Sequence, residues 1–311
     1  MNLFKKIEDA KDVIRKYYEK NNGNLFVSFS GGKDSTVLLH LARSIYPDIL
    51  GVFSNTTNED KDIIKYVKSF DNIEWVVPKK NFKEVVQQYG FPLVSKETAK
   101  KISLYRTTKN EKVKERVEFG DENGKYGVAN KWKPLLSIDF DVTARCCEFL
   151  KKKPLTEWSK KNGNKIPIIG LMADESMLRK QLALYGEEDE NKCYPFLRTG
   201  WTEQDIWDYA DHFGLIFADA YYDKKLEDVR IIKAQSRTGC IFCGFGIQFD
   251  KGARFDNQLI KNPKRYEKMM SLENNGVTFR EAIEKVLELD NSKIKLKRLS
   301  ENEINKDQDD E

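Results

Sequence analysis

The chain of 311 residues carries 54 lysines and arginines against 50 aspartates and glutamates, so its formal net charge is only +4. This mild excess does not by itself indicate nucleic-acid binding. Hydrophobic residues (40%) are enough to build a core, and charged residues (33%) indicate a solvated surface. No apolar run approaches the roughly 20 residues that cross a bilayer, so we expect no membrane association.

The N-terminal segment predicts an amphipathic helix, because apolar residues recur at helical spacing from Leu3 to Tyr17. Charges interrupt each apolar stretch here, which excludes a signal peptide as an interpretation. The five cysteines are too few for a disulfide scaffold. We therefore expect a cytoplasmic protein whose cysteines are core residues, metal ligands or catalytic thiols.

Strand and helix patterns alternate along the next part of the chain. The predicted strands are 25–29, 49–55, 73–77 and 165–173, and the predicted helices are 34–46, 59–70, 81–89, 174–184 and 203–214. Such alternation is typical of an α/β fold, with an open, mainly parallel sheet that helices cover on both faces.

Composition divides the chain further. Residues 1–235 form the predicted nucleotide-binding α/β domain, and 96–135 form a basic, partly helical insertion within it. Residues 236–287 carry a CxxC segment and a small helical extension. The end, 288–311, is almost entirely charged or polar and is expected to fray.

The stretch SFSGGKDS joins the first predicted strand to a helix. Backbone N–H groups at a helix N-terminus favour a bound anion, and glycines let the backbone approach it. Lys33 adds a positive charge, and Ser30 and Ser35 add hydroxyl groups. The alternative is a tight turn capped by Asp34, but a turn alone does not need two glycines, a lysine and two serines.

SGGKDS resembles the PP-loop of the ATP pyrophosphatase and sulfonucleotide (PAPS/APS) reductase superfamily, whose fold is of the adenine nucleotide α-hydrolase type. FSNTTNEDKD, GLMADESMLRKQ and PFLRTGWTEQDIWDY resemble three further family segments. The likeness covers about residues 20–245. Asn55 stands where the family often has an aspartate.

The resemblance implies a site for an adenine nucleotide such as ATP, with Mg²⁺. The residues implied to bind the nucleotide are Ser28, Ser30, Gly31, Gly32, Lys33, Asp34, Ser35, Asn55, Thr56, Glu59, Glu175, Ser176 and Arg179, of which Lys33, Asp34 and Arg179 are implied to be catalytic.

Four cysteines form two pairs that suit metal binding. Cys240 and Cys243 form a CxxC, and Cys146 and Cys147 are adjacent. Four thiolates hold either zinc or an iron–sulfur cluster, although adjacent cysteines make a poor zinc clip. The arrangement resembles that of the [4Fe–4S] members of the family. A structural zinc is the alternative.

One family feature is absent from the sequence. Sulfonucleotide reductases use a cysteine in a C-terminal E-C-G-L-H segment, whereas no cysteine follows Cys243 here. We therefore expect an ATP pyrophosphatase-type enzyme that adenylates an acceptor for sulfur transfer, of the nucleic-acid thiolation or phosphorothioation type. The alternatives are a PAPS/APS reductase that produces sulfite, with Cys193 as a substitute thiol, and a non-catalytic nucleotide-binding subunit of a modification complex.

The basic residues of 96–118, with a further run at 151–153, are compatible with a tRNA or DNA backbone. A solvated helical face explains them equally well. A sulfur-donor protein and a second copy of the chain in a homodimer are further partners that we consider.

Overall fold

The computed structural model describes residues 2–187, 189–226, 231–235, 238–249 and 253–298. The helices are α1 (Leu3–Lys20), α2 (Lys33–Arg43), α3 (Lys61–Val67), α4 (Phe82–Tyr89), α5 (Lys96–Thr107), α6 (Glu111–Phe119), α7 (Arg145–Cys147), α8 (Lys153–Lys161), α9 (Met177–Tyr185), α10 (Pro195–Arg198), α11 (Glu203–Phe213), α12 (Ala253–Lys261), α13 (Pro263–Met270) and α14 (Phe279–Leu289). The strands are β1 (Leu25–Ser28), β2 (Gly51–Ser54), β3 (Ile73–Val76), β4 (Leu93–Val94), β5 (Ile166–Ile168), β6 (Lys224–Lys225), β7 (Ile231–Ile232), β8 (Gly244–Phe245), β9 (Glu273–Asn274) and β10 (Val277–Thr278).

Four parallel strands form the main sheet, in the order β3-β2-β1-β5. The register places Val27 opposite both Gly51 of β2 and Ile168 of β5. Cys193 continues the sheet beyond β5, because its N–H donates to the carbonyl of Pro167 at 3.0 Å. The chain thus builds the sheet outward from β1 in both directions.

Successive side chains of β1 point to opposite faces of the sheet, as in any strand. Leu25 and Val27 join a large core with α1, α2, α3 and α11. Phe26 points the other way and packs with Val52 and with Trp158 of α8. Helices therefore cover both faces, and the predicted α/β class with a mainly parallel sheet is confirmed.

A second large core lies away from the main sheet. It combines buried side chains of residues 82–150 with those of residues 241–296, including Phe91, Phe255 and Phe279. Two distant parts of the chain therefore share one apolar interior, and the basic helix α5 packs into it through Ala99 and Ile102. The division of the chain at residue 235 stays a prediction.

A close backbone approach within residues 82–150 of this second core lies at the end of α4. Gly90 ends the helix with a φ of +92°, and a Cβ there would lie 2.1 Å from the carbonyl oxygen of Asp141. Only glycine avoids both the strained dihedral angle and this clash. The next residue, Phe91, then pairs with the backbone around Val142.

Two elements differ from their predicted bounds. The strand expected over 165–173 ends at Ile168, and the following chain turns into a short 3₁₀ helix at Ala173–Glu175. Ser176 then begins α9, because its hydroxyl accepts a hydrogen bond from the N–H of Arg179.

The polar end of the chain also differs in part from the expected frayed tail. Leu296 is buried against the second core, and the hydroxyl of Tyr266 donates to the carbonyl of Lys297. Residues 299–311 lie outside the described part of the chain. None of the helices that the structure describes is both long and apolar enough to span a bilayer.

Candidate nucleotide and thiol site

The candidate nucleotide site lies at the carboxyl ends of β1 and β5, where the strand order of the main sheet reverses. β2 lies on one side of β1 and β5 on the other. Ligands of open α/β sheets bind in the crevice at such a point. The two loops meet here, since a Cβ on Gly170 would lie 3.2 Å from the carbonyl oxygen of Asp34.

The loop Ser30–Ser35 is held by its own hydroxyl groups. The N–H of Ser30 donates to Oγ of Ser35 at 3.1 Å, and the two serine hydroxyls are 3.0 Å apart. The Ser35 hydroxyl also bonds to the carbonyl of Gly32 at 2.9 Å. No side chain caps the N-terminus of α2 from the Ncap position, which Gly32 occupies. Ser28 lies just before this loop, at the end of β1.

The two glycines of the loop are needed for different structural reasons. Gly31 has a φ of +70°, and a Cβ there would lie 2.6 Å from the Val67 side chain of α3. A Cβ on Gly32 would instead lie 3.1 Å from the Thr238 hydroxyl and 3.2 Å from that of Tyr221. Gly32 therefore leaves room for hydroxyl groups in the space in front of the helix N-terminus.

Two hydroxyl groups that the sequence patterns did not single out occupy this space. The N–H of Lys33 donates to Oη of Tyr221 at 3.0 Å, and that oxygen lies 2.9 Å from Oγ1 of Thr238. Tyr221 ends a short 3₁₀ helix at Asp219–Tyr221, and both residues lie more than 180 positions after the loop in stretches without a periodic pattern. Thr238 also lies two residues before Cys240, so the loop is linked to the CxxC segment.

Lys33 is buried with only 4% of its surface exposed. Its Nζ lies 3.1 Å from Oδ1 of Asp34 and 3.2 Å from Oε1 of Glu203 at the start of α11. Burial lowers the pKa of Lys33, but the charge and hydrogen bond of Asp34 outweigh it, so the pKa is raised. The site therefore contains a permanently charged ammonium group.

The loop after β2 brings two further expected residues inward. Thr56 is fully buried, and its hydroxyl donates to Oε1 of Glu59 at 2.6 Å. The same hydroxyl lies 3.7 Å from Sγ of Cys240. Asn55 instead uses its side chain locally, accepting from the N–H of Thr57. Thr56 thus connects the predicted nucleotide segment with the CxxC.

The segment after β5 supplies Glu175, Ser176 and Arg179. Glu175 and Arg179 form an ion pair, and the Glu175 carboxylate also accepts from the N–H of Met172 at 3.2 Å. Asp174 accepts from the N–H of Glu203, the residue that also contacts Lys33. The segment is therefore joined to the loop through α11.

The four paired cysteines converge in the tertiary structure from two distant stretches. Cys146 and Cys147 lie on α7, which continues into a wide π turn at Glu148–Lys152. The CxxC docks on the loop after β2, because the N–H of Ile241 donates to the carbonyl of Asn58 at 2.8 Å. After it, β8 pairs with β4. Cys193 is fully buried and belongs to the extended main sheet.

The two cysteine pairs lie close enough to influence one another electrostatically. A hydrogen bond with Cys147, followed by burial, raises the pKa of Cys146. The same hydrogen bond lowers the pKa of Cys147, with help from the charges of Lys96 and Lys151. Burial, followed by the charge of Cys240, raises the pKa of Cys243. The charge of Cys240 is also the main cause that raises the pKa of Lys151.

The donor set has the chemistry that an iron–sulfur cluster requires. Among the described residues, no three His, Cys, Asp or Glu side chains are grouped so that they could hold one metal ion. A zinc ion needs its thiolates around a single point, whereas each thiolate of a four-iron cluster binds a different iron atom. Four thiols from two pairs match in number the ligands of either a zinc ion or a four-iron cluster.

Unpartnered polar groups lie beside the thiols. Neither side-chain polar atom of the fully buried Asn58 has a hydrogen-bond partner, and Oε2 of Glu59 has none either. Such orphan groups are costly inside a protein and call for a ligand. Their signal in the sequence was weak, since NTTNED is an ordinary polar loop composition.

The segment from residue 24 to residue 243 matches the family model described as the phosphoadenosine phosphosulfate reductase domain. The chain belongs to this family. The resemblance that the SGGKDS loop indicates is therefore confirmed.

One curated relative belongs to an archaeon. An uncharacterised protein of Methanocaldococcus jannaschii is 28% identical over 240 residues, which cover 74% of this chain and 44% of the relative. The chain thus spans less than half the length of the curated relative that it matches.

Two solved structures are similar at 14% sequence identity. The phosphoadenylyl-sulfate (PAPS) reductase from Candida auris, a phosphate complex, has a TM-score of 0.39, with 68% of this chain and 82% of that chain covered. The U34-tRNA thiolase from Methanococcus maripaludis with its [4Fe–4S] cluster has a TM-score of 0.34, with 94% and 90% covered.

Removing the hydroxyl of Tyr221 tests its hydrogen bond with the N–H of Lys33 at the N-terminus of α2. We expect Tyr221→Phe to lower the free energy of unfolding by about 1 to 2 kcal/mol, because it leaves the N–H of Lys33 buried without a partner. Tyr222→Phe is the control: its hydroxyl also accepts from a backbone N–H, that of Phe217, but Tyr222 is 41% exposed. Urea unfolding measures the free energy of unfolding of both variants. An equal loss of stability in the two would contradict a stabilising role of the Tyr221 hydroxyl at α2.

Proposed function

We propose that the protein is an ATP pyrophosphatase-type enzyme that adenylates an acceptor and then directs sulfur to it. The observation that carries this proposal is the connection between the loop and the thiols. Thr56 contacts both Glu59 and Cys240, and Tyr221 joins the N-terminus of α2 to Thr238. A nucleotide in the loop therefore lies within one hydrogen-bonded network with the CxxC segment.

The loop residues have the chemistry to bind the pyrophosphate part of ATP. Ser30 and Ser35 supply hydroxyl groups, and the N-terminus of α2 supplies the positive end of the helix dipole, with the N–H of Lys33 bonded to the hydroxyl of Tyr221. Lys33 supplies a positive charge with little exposure to water. Asp34, Glu59 and Glu175 are carboxylates that could hold Mg²⁺, and the ion pair of Arg179 with Glu175 would rearrange around the phosphates.

The proposed reaction has two substitutions. An acceptor oxygen forms a bond to the α-phosphorus of ATP while the bond to pyrophosphate breaks, and Lys33 stabilises the charge of the leaving pyrophosphate. Sulfur at the oxidation level of sulfide then replaces the adenylated oxygen, and AMP leaves. No oxidant or reductant is consumed, because sulfur enters and oxygen leaves at the same oxidation level.

A [4Fe–4S] cluster would be held by Cys146, Cys147, Cys240 and Cys243 with one thiolate on each iron, so sulfide would bind to an iron atom only in place of one of these thiolates. Lys151 lies among these thiols, and the raised pKa caused chiefly by Cys240 keeps it protonated. Its positive charge would offset the negative charge of four thiolates. Structural zinc remains the alternative occupant in the proposal.

Reduction of PAPS or APS is the second candidate, which the family name favours. It requires a mobile cysteine as the nucleophile. No cysteine follows Cys243, and Cys193 is fully buried with backbone bonds to Pro167 and Ile169. Within this chain, Cys193 is therefore not accessible as that nucleophile.

A non-catalytic subunit of a modification complex is the third candidate, and the charged Lys33 in the intact loop speaks against it. We further propose a cytoplasmic location, a nucleic-acid acceptor and a sulfur-donor protein as partner. A homodimer would also be compatible with this chemistry.

The test of the proposal compares two reactions of the anaerobically purified protein. In the first, ATP, Mg²⁺ and radioactive sulfide are supplied with total tRNA or with DNA, and AMP, pyrophosphate and acid-insoluble sulfur are measured. In the second, PAPS or APS is supplied with reduced thioredoxin, and sulfite is measured. We expect products in the first reaction alone. Sulfite without pyrophosphate would overturn the proposal in favour of the reductase, and no product in either would favour the non-catalytic subunit.

A further inference from the structure

Two cavities are lined by the segment 145–154, which carries the adjacent cysteines. The first, here called the aromatic cavity, has a volume of about 350 Å³, and Trp75, Phe149 and Trp158 line it. The second, here called the cationic cavity, has a volume of about 690 Å³, and Cys147 lies in its wall. Both are large enough for a small planar or ionic group.

Positive charge predominates in both cavities. The aromatic cavity has four lysines, Lys79, Lys80, Lys153 and Lys161, and one acidic residue, Glu157. The cationic cavity has Lys96, Lys100, Arg145 and Lys152, together with one acidic residue, Glu148, and the hydroxyls of Ser103, Thr107 and Thr143. Each cavity therefore attracts an anion, and its aromatic or hydroxyl side chains can contact an uncharged part of the same ligand.

A stack of side chains connects the two cavities. Phe149 lines the aromatic cavity and stacks on Tyr89, with ring centres 4.9 Å apart and planes 10° apart. Arg145 lines the cationic cavity, and its guanidinium carbon lies 4.5 Å from the Tyr89 ring centre and 5.5 Å from that of Phe149. Lys80 lies 5.3 Å from each of these rings. Positively charged side chains and aromatic rings thus alternate along the surface that connects the two cavities.

We propose that a single-stranded polynucleotide binds across both cavities, with an unstacked base in the aromatic cavity and a neighbouring phosphate in the cationic cavity beside Cys147. Aromatic faces accept bases of any sequence, while lysines and arginines bind the backbone. An acidic peptide would satisfy the lysines but would leave the aromatic faces unused. This inference rests on the proposed function for its acceptor class, a nucleic acid.

Contacts within the protein show which cations of the basic segment 96–118 belong to the proposed polynucleotide site. Lys114 of α6 pairs with Glu111, and the guanidinium of Arg116 lies 4.1 Å from the Tyr126 ring centre. Arg106 donates to the carbonyls of Ile138 and Phe140. These cations have structural partners, whereas Lys96 and Lys100 of α5 line the cationic cavity.

Charge reversal in the aromatic cavity tests the site. A fluorescently labelled single-stranded oligonucleotide of about 12 nucleotides, a length within the range of such sites, is titrated with the full chain, as RNA and as DNA. We expect the double variant Lys80→Glu, Lys153→Glu to raise the Kd at least about tenfold. The matched control is Lys109→Glu, Lys112→Glu, which makes the same charge change in the basic segment but outside both cavities, and should stay within about twofold.

The contact with a base has its own measurement. A base stacked on Trp75 quenches its fluorescence, so we expect quenching by the unlabelled oligonucleotide to fall in Trp75→Phe and to persist in Trp132→Phe, whose indole is buried in the second core. Circular dichroism melting shows whether each variant is folded. A loss of binding in the control pair as large as in the cavity pair would overturn the proposal, and so would equal competition by polyglutamate.

ATP binding is measured in parallel with a fluorescent ATP analogue. If the analogue binds and the oligonucleotide does not, the inference fails while the proposed function keeps its nucleotide site. If the oligonucleotide binds at the two cavities and the analogue does not, the inference stands and the proposed ATP chemistry fails.

Discussion

Replacing Lys33 by alanine is expected to reduce ATP-dependent pyrophosphate release by at least about 100-fold, the size of effect that follows when one group that stabilises transition-state charge is removed. Lys33 is buried, and its Nζ lies between Asp34 and Glu203. Without the ammonium group, these two carboxylates would oppose the negative charge of the leaving pyrophosphate. Steady-state release of pyrophosphate and binding of a fluorescent ATP analogue measure the effect.

Lys61→Ala is a matched control for this variant. Lys61 is likewise the first residue of a helix that follows a strand of the main sheet, but its side chain is exposed. We expect its pyrophosphate release to equal that of the unchanged chain. If Lys33→Ala retained full turnover and nucleotide affinity while remaining folded, the nucleotide site would lie elsewhere.

Replacing both cysteines of the CxxC by alanine is expected to remove the iron and acid-labile sulfide from the anaerobically purified protein. Cys240 and Cys243 are two of the four proposed ligands, and two remaining ligands do not retain a four-iron cluster. The broad visible absorption of the cluster should disappear with the iron. Sulfur transfer should be lost as well, because its proposed sulfide site is removed.

Cys193→Ala provides the comparison, since Cys193 is a buried thiol of the main sheet rather than of the cysteine cluster. It should keep the full iron and sulfide content. A colourless protein that contains zinc in place of iron would refute the cluster, and the loss of zinc in the CxxC variant would then assign these cysteines to a structural site.

The strands of the main sheet could be predicted because each is a short apolar run followed by a helical pattern. The four predicted strands correspond to β1, β2, β3 and β5. Their order could not be predicted in the same way, because pairing β1 with β5 depends on contacts between residues about 140 positions apart. The second core had no local signal either, since residues 82–150 and 241–296 meet only in the folded chain.

Some residues of the candidate site could likewise be predicted from local sequence, whereas others are identified only by tertiary contacts. Dense local composition indicates the loop Ser30–Ser35, and spacing indicates the CxxC. Tyr221, Thr238 and Glu203 act on the loop only through tertiary contacts, and no spacing in the sequence connects them to it. The resemblance to a family supplied Thr56 and Glu59, but the contact of Thr56 with both Glu59 and Cys240 required the structure.

The shared interior of residues 82–150 and 241–296 has a consequence for the order of events during synthesis. A chain emerging from the ribosome folds from its N-terminus, and the sheet core needs nothing beyond Tyr221. Cys146 and Cys147, however, lie in a core that lacks Phe255, Phe279 and Leu287 until residues far beyond the sheet core have been made. The sheet beneath the nucleotide loop can therefore form early, whereas the adjacent cysteines gain their shared apolar surroundings only after residues 241–296 have been synthesised.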